Sequence, residues 1–273
     1  MITTDQLYSN LINIETFFLI AGPCVIEDEY IMMETAEKLK KITSDRNIPF
    51  IFKSSYEKSN RTSIESYTGP GISKGLKLLQ KIKEQFELPI LTDIHETCEV
   101  DEVAEVADVL QIPAFLCRQT ALIVKAAQTG RIVNIKKGQF VAPEDMHLQM
   151  EKCMSSDNFK VMLTERGTCF GYHNLVVDFR SFPLMKSAKH PVIFDVTHSM
   201  QKPSLTKTTG GTPEFAPMMA QAAIATGYVD GLFIETHPNP MEALSDANTQ
   251  LPLPFIADVL DRCLAVKRAV MSV

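Results

Sequence analysis

No stretch of this sequence stays apolar for anything like the ~20 residues that a membrane-spanning helix requires. Its opening residues, Met1-Ile2-Thr3-Thr4-Asp5, lack the basic segment of a signal peptide. Basic charge is not in excess either, with 27 Lys and Arg against 33 Asp and Glu. That argues against a general nucleic-acid or anionic-membrane surface, although a few clustered cations can still bind a small phosphate. The six cysteines, at 24, 98, 117, 153, 169 and 263, include no CxxC pair and no dense framework. Reduced thiols in a cytoplasmic protein are the expectation, with no nucleic-acid or membrane partner. Apart from Cys24, the cysteines read as packing residues. There is no low-complexity tract or charge block, and so no sign of a second domain.

What the chain does have is eight short apolar runs, each leading to a residue that can bind charge or do chemistry. Phe17-Phe18-Leu19-Ile20-Ala21 leads to Cys24, Pro49-Phe50-Ile51-Phe52 to Lys53, and Pro89-Ile90-Leu91 to Asp93. Val109-Leu110 leads to Gln111, Ile132-Val133-Asn134-Ile135 to Lys136, and Val161-Met162-Leu163 to Arg166. Val192-Ile193-Phe194-Asp195-Val196 leads to His198, and Leu232-Phe233-Ile234 to Glu235. Between them lie segments with helical spacing of apolar residues: 29–42, 73–86, 97–106, 119–129, 143–154, 212–226 and 254–270. Thr212-Pro213-Glu214 reads as the start of one such helix. The sixth unit is the weakest, since 175–186 contains Pro183. Strand alternating with helix predicts parallel strands and right-handed crossovers. Eight units in 273 residues predict an α/β fold, a single (β/α)₈ barrel with its active site at the strand carboxyl ends. The barrel is expected over 17–273, and 1–16 as a short extension across its bottom.

Chemistry concentrates in three places. The segment Lys53-Ser54-Ser55-Tyr56-Glu57-Lys58-Ser59-Asn60-Arg61-Thr62-Ser63 is too polar for a strand and reads either as a phosphate-binding loop or as a solvated basic one. Lys136 and Arg166 leave strands 5 and 6. With Lys53 and Lys58 they would focus a positive field on an anionic substrate with room for two phosphate-like groups. Cys24, His198, Glu235 and Asp246 form a mixed set of sulfur, imidazole and carboxylate donors suited to Zn, Fe or Mn. Strands 1, 7 and 8 are neighbours in a closed barrel, so the first three converge, and Asp246 follows strand 8. Singly, each has a bland reading: a buried thiol, a hydrogen-bonded imidazole, a helix cap. His95, Glu96 and His237 also fall at the mouth, as substrate contacts or as structural hydrogen-bonding groups.

At these residues the chain resembles the 3-deoxy-D-manno-octulosonate 8-phosphate (KDO 8-phosphate) synthases, over roughly residues 17 to 255. The motifs are Ala21-Gly22-Pro23-Cys24, Lys58-Ser59-Asn60-Arg61-Thr62-Ser63, Gly69-Pro70-Gly71, Leu91-Thr92-Asp93 and Gln111-Ile112-Pro113-Ala114-Phe115-Leu116. They continue with Asn134-Ile135-Lys136-Lys137-Gly138-Gln139-Phe140, Thr164-Glu165-Arg166-Gly167, Phe194-Asp195-Val196-Thr197-His198-Ser199, Glu235-Thr236-His237-Pro238 and the run from Ser245-Asp246 to Leu253.

The resemblance implies condensation of phosphoenolpyruvate with D-arabinose 5-phosphate and water, releasing phosphate, for lipopolysaccharide or a related glycan. It implies that Lys53, Lys58, Lys136 and Arg166 hold phosphoenolpyruvate. Asn60, Arg61 and Thr62 would hold the sugar phosphate from a neighbouring subunit of a homotetramer, while Asp93 and Gln111 face the substrates. Lys58, Asp93, His198 and Cys24 are the residues expected to take part in the chemistry. Cys24, where metal-free members carry Asn, is similar to the metal-dependent class, so Cys24, His198, Glu235 and Asp246 would hold a divalent cation (Mn, Fe or Zn). Pro213 stands where the family often has Arg, which bears on how the loop from Ser199 to Gly211 closes. The related synthase that takes erythrose 4-phosphate carries Lys-Pro-Arg-Thr where this chain has Lys58-Ser59-Asn60-Arg61-Thr62. A metal-dependent sugar-phosphate aldolase or isomerase, and a non-catalytic phosphosugar sensor, are the alternatives from other classes.

Overall fold

Strands of four to seven residues, hydrophobic on both faces, need cover on both sides, and a closed barrel ringed by helices supplies it. The computed structural model describes residues 2–60, 63–186, 190–202 and 210–272. After helix α1 (Thr4–Ile12) come β1 (Phe18–Gly22), α2 (Glu29–Ser44), β2 (Phe50–Lys53), α3 (Ile72–Phe86), β3 (Ile90–Asp93), α4 (Val100–Val106) and β4 (Val109–Ile112). Next are α5 (Thr120–Gln128), β5 (Ile132–Lys136), α6 (Met146–Met154), β6 (Val161–Glu165), α7 (Ser181–Met185), β7 (Val192–Asp195), α8 (Ala216–Ala225), β8 (Gly231–His237) and α9 (Ile256–Met271). The eight strands pair in parallel in chain order, and β8 returns to β1 with Phe18 opposite Gly231 and Gly22 opposite Glu235. The expected (β/α)₈ barrel is the fold. Among the described residues, no helix is long and apolar enough to cross a membrane.

Strand alternation sorts the side chains. Leu19, Phe52, Ile90, Leu110, Val133, Leu163, Phe194 and Leu232 pack outward with the helices. Phe18, Ile20, Ile51, Leu91, Val109, Ile132, Met162, Ile193 and Phe233 fill the barrel interior. Carrying the inward phase two residues further along each strand gives Lys53, Asp93, Gln111, Asn134, Thr164, Asp195 and Glu235. The interior therefore changes from oil to charge at one level.

The other end is closed by α1. Thr3 and Gln6 form a reciprocal capping box at its start. Its apolar face, Leu7, Tyr8 and Leu11, packs on the inner cluster. Tyr8 donates its hydroxyl hydrogen to Val161 O at 3.0 Å, and the oxygen lies 3.1 Å from His190 Nδ1. The 1–16 extension was expected across this face, and its helix lies there.

Departures from expectation are local. Helix α4 begins at Val100 rather than 97, because Glu99 Oε2 accepts the backbone N–H groups of His95 and Glu96 and holds the preceding turn. Thr212 makes no side-chain cap; Pro213–Phe215 form a 3₁₀ turn before α8. In the sixth unit an antiparallel pair, Thr168–Cys169 with Leu175–Val176, precedes a five-residue helix containing Pro183. Cys98 and Cys169, expected to pack, are exposed, one in a turn and one in this pair. Neither lies on an inward-facing helix or strand position.

Candidate active site

The chain leaves β1 through Gly22, where a Cβ would sit 2.0 Å from Lys53 O, so only glycine allows strands 1 and 2 to come so close. This turn delivers Cys24 to the barrel mouth, fully buried. Its backbone N–H donates to Gln250 Oε1 at 3.2 Å, and its sulfur lies 3.1 Å from Ser245 Oγ and 3.3 Å from Asp246 Oδ2. Asp246 is held in the left-handed region (φ 51°), which Asp tolerates better than most residues. Its carbonyl accepts Thr249 N–H at 2.9 Å and Gln250 N–H at 3.2 Å, which fixes the turn.

Glu235, on β8, forms a close buried ion pair with Lys53 through Oε1. Its Oε2 is buried, has no hydrogen-bond partner among the described residues and lies 3.5 Å from His198 Nε2. Asp195 grips the other imidazole nitrogen, Nδ1, at 2.8 Å, leaving Nε2 directed at Glu235 and, at 4.0 Å, at Asp246. Such a carboxylate–imidazole pair fixes ring orientation and tautomer in the way metal-ligating histidines require. One donor atom each from Cys24, Glu235 and Asp246 lies within 4.8 Å of the others. Ligands bound at about 2.0–2.3 Å to one ion stand at most about 4.6 Å apart, so only small rotations are needed.

The electrostatics agree with that fit. Burial, followed by the carboxylates of Asp246 and Glu235, pushes the Cys24 thiol well above its ordinary pKa. A divalent ion reverses this logic, since a coordinated thiol is deprotonated outright. The unpartnered Glu235 oxygen and the Cys/His/Glu/Asp chemistry together fit a divalent cation. His198 belongs at the edge of this group rather than inside the tight trio.

The four expected cations share the same layer. Lys136 Nζ meets Asp195 Oδ2 at 2.5 Å and lies 3.8 Å above the Phe233 ring. Lys58 Nζ is loosely held, 3.5 Å from Asp93 and 3.8 Å from Glu235. Burial depresses the Lys58 pKa, but the surrounding anionic groups, among them the Asp93 and Glu235 carboxylates, outweigh it and hold Lys58 above its ordinary value. Arg166 is buried, donating from Nη2 to Gln201 Oε1 at 2.8 Å, and among the described residues its Nη1 has no partner. Burial lowers its pKa, but a guanidinium remains charged. A buried cationic N–H with no partner among the described residues is a ready receptor for an anionic oxygen.

Asp93 and Gln111 sit within a buried polar chain. Thr164 Oγ1 donates to Asn134 Oδ1 (2.8 Å), Asn134 Nδ2 to Gln111 Oε1 (2.8 Å), and Gln111 Nε2 to Asp93 Oδ1 (2.6 Å). Ser55 donates closely to the other Asp93 oxygen. The chain fixes which end of the Gln111 amide faces Asp93. Asn60 is exposed, and Arg61 and Thr62 lie outside the described residues, as does most of the Ser199–Gly211 segment.

His95 and His237 are structural at first reading. His95 lies edge-on to Tyr56, while His237 Nε2 is 3.6 Å from Glu27 and its Nδ1 accepts Asn239 N–H. Glu96 contributes its backbone to the Glu99 turn.

Sequence reasoning missed Asp195, Asn134, Thr164 and Gln201 as members of the site. Asp195 was visible as a carboxylate inside an apolar run, two residues past an inward Ile193. Gln201 joins the two halves, accepting from Arg166 and donating to Asp246 Oδ2 at 3.4 Å.

Comparisons with known proteins show the family. Residues 13–266 match the family model described as DAHP synthetase I family. A 2-dehydro-3-deoxyphosphooctonate aldolase of Dichelobacter nodosus is 52% identical over 261 residues, 95% of this chain and 94% of the relative. One from Koribacter versatilis is 51% identical over 257 residues, 93% and 92% of the two chains. The 2-dehydro-3-deoxyphosphooctonate aldolase 1 of Arabidopsis thaliana is 47% identical over 274 residues, 98% and 94%. With identities this high over almost the full length of each chain, the protein belongs to the 2-dehydro-3-deoxyphosphooctonate aldolase (KDO 8-phosphate synthase) family of (β/α)₈ barrel enzymes.

Proposed function

We propose that this chain condenses phosphoenolpyruvate with D-arabinose 5-phosphate and water to give 3-deoxy-D-manno-octulosonate 8-phosphate and phosphate. The observation that carries the reading is the ring of Lys53, Lys58, Lys136 and Arg166 at the strand ends, with the Arg166 Nη1 buried and, among the described residues, without a partner. Phosphoenolpyruvate carries a carboxylate and a phosphate close together, and this ring offers donors for both. Carbon 3 of the enolpyruvate attacks the aldehyde carbon of arabinose 5-phosphate while water adds at carbon 2. The carbon–oxygen bond to phosphate then breaks, leaving a ketone at carbon 2.

The side chains bind and orient in this scheme, and orientation of two bound reactants supplies several kcal/mol, up to ~7–11 in ideal cases. Lys58, held loosely between Asp93 and Glu235, moves onto an incoming anion at little cost. Gln111 and Asp93 face the reacting carbons, with their geometry fixed by Asn134 and Thr164. Cys24, His198, Glu235 and Asp246 would hold a divalent cation, which when bound supplies Lewis acidity beside the substrates. Chelation is expected to abolish turnover, with Mn²⁺, Fe²⁺ or Zn²⁺ restoring it. Full activity after exhaustive metal removal would refute the metal-dependent assignment.

We further infer a homotetramer in which Asn60, Arg61 and Thr62 reach a neighbour's sugar phosphate. In the single chain Asn60 is exposed, and nearby Ile64 stands fully in solvent. The free state of all six cysteines suits the reducing cytoplasm. Mass spectrometry tests the reaction itself. Both substrates together should yield an eight-carbon phosphorylated acid and one phosphate per turnover. Phosphate release that does not require the aldose phosphate would overturn it.

A further inference from the structure

Two charged residues lie one position away from the proposed anion receptor and face the opposite way. Lys137 follows Lys136 at the end of β5, and Glu165 precedes Arg166 at the end of β6. Strand alternation turns Lys136 and Arg166 into the barrel mouth and Lys137 and Glu165 out of it. Yet neither reaches solvent: their side chains are 0% and 1% exposed, with Lys137 Nζ 3.5 Å from Glu165 Oε1. The same ammonium, with three N–H groups to share, lies within reach of Val141 O (3.3 Å), Gly138 O (3.4 Å), Gly167 O (3.4 Å) and Thr168 Oγ1 (3.2 Å). Glu165 Oε1 accepts Gly167 N–H at 2.6 Å.

One ion pair therefore ties the loop after β5 to the loop after β6. The backbone adds two more ties, Lys137 N–H to Thr164 O at 2.8 Å and Cys169 N–H to Gln139 O at 3.0 Å. On its far side the β5 loop is pressed against the β4 loop, for a Cβ on Gly138 would come within 3.0 Å of Cys117 Sγ. The segments carrying Lys136 and Arg166 thus cannot shift independently of the pair.

A buried ion pair is a poor source of stability, because removing two charges from water offsets much of their attraction, and an apolar pair of similar size often serves as well. Burial indeed draws Lys137 below its ordinary pKa, with Glu165 opposing. The pair's value must then lie in directional constraint. The ammonium holds three loop carbonyls, those of Gly138, Val141 and Gly167, that an apolar side chain would leave free.

We propose that Lys137 and Glu165 are positioning residues, a strut that sets the separation of the Lys136 ammonium and the Arg166 guanidinium and so the affinity for a substrate bearing a carboxylate and a phosphate. This rests on the reading of Lys136 and Arg166 as holders of phosphoenolpyruvate.

The test uses the full chain and steady-state kinetics with both substrates on K137M, E165Q and the double variant K137M/E165L, with Lys136→Ala and Arg166→Met beside them. The double variant leaves no buried charge alone, so it should fold with a thermal midpoint close to the parent's. It should raise KM for phosphoenolpyruvate about tenfold or more, with KM for arabinose 5-phosphate within about threefold. An unchanged KM for phosphoenolpyruvate in a folded double variant overturns the proposal, as does an equal rise in both KM values, which would mean general loosening. If the double variant does not fold, E165Q decides by the same criteria. Failure of all three to fold makes the pair a stability element and also overturns the proposal. If Lys136→Ala and Arg166→Met leave KM for phosphoenolpyruvate unchanged, it is the underlying reading that fails.

Discussion

Replacing Arg166 with methionine separates what this side chain does for binding from what it costs the fold. Methionine keeps the unbranched apolar stem and removes a buried guanidinium whose Nη1 has no partner and whose Nη2 donates to Gln201, among the described residues. One charge-assisted hydrogen bond is worth about 1.5–3 kcal/mol. At 1.36 kcal/mol per decade, losing one bond to the substrate raises KM for phosphoenolpyruvate about 10- to 150-fold. Stability should respond differently. Burial is the leading influence on Arg166 and lowers its pKa, against the opposing pull of Asp195, Glu165 and Asp246. A cation whose pKa falls on folding is disfavoured in the folded chain, so its removal should leave the ligand-free protein as stable or more stable. Differential scanning calorimetry should therefore show a midpoint equal to the parent's or higher by roughly 2–4 °C per kcal/mol regained. A KM within about threefold of the parent would refute the role given to Arg166. A midpoint lowered by about 8 °C or more would refute the electrostatic reasoning.

The buried carboxylate of Asp93 gives a pH signature. Burial raises its pKa, but Lys58, Lys53 and Lys136 prevail and hold it well below the usual carboxylate range. A carboxyl depressed in the folded chain adds stability that is complete above its unfolded value of ~3.9 and is lost as pH falls toward the folded value. Asp93→Asn should thus cost about 3–5 kcal/mol at pH 7, with the gap narrowing as unfolding is measured below pH ~4; a gap independent of pH contradicts the assignment. Thiol titration offers a further check. Exposed Cys98 and Cys169 should react with an aromatic disulfide in the native protein. Burial pushes Cys153 and Cys263 up to about 12, so these should react only on unfolding. Prompt labelling of Cys153 or Cys263 in the folded chain would show that the helix–barrel packing is looser than described.

Much of this architecture was legible because barrel strands carry two independent signals, an apolar run and a functional residue just past it. Lys53, Asp93, Gln111, Lys136, Arg166, His198 and Glu235 were found that way, and all lie at the carboxyl ends of the barrel strands or just beyond them. Asn134 and Asp195 escaped because they lie inside their runs, where a polar residue looks like an interruption. Following the inward phase from Ile132 and Ile193 would have placed them. Lys137 stood out in the sequence only as part of the motif that runs from Asn134 to Phe140, whereas alternation turns it outward into a buried pair with Glu165. Gln201 depends on how the chain turns after His198, and no period in the sequence reports that. The exposed Cys98 and Cys169 were misread because hydrophobicity alone assigns a cysteine to the core, while the turn and the hairpin that hold them are set by contacts with Glu99 and the β5 loop.

The central claim is that these strand ends hold phosphoenolpyruvate beside a five-carbon aldose phosphate. The most direct measurement is kcat/KM for phosphate release with arabinose 5-phosphate and with erythrose 4-phosphate, each at saturating phosphoenolpyruvate and with divalent metal supplied. The account predicts a preference for arabinose 5-phosphate of about a hundredfold or more, the range that a few precisely placed polar contacts can supply. Equal efficiency, or a preference for erythrose 4-phosphate, would contradict it.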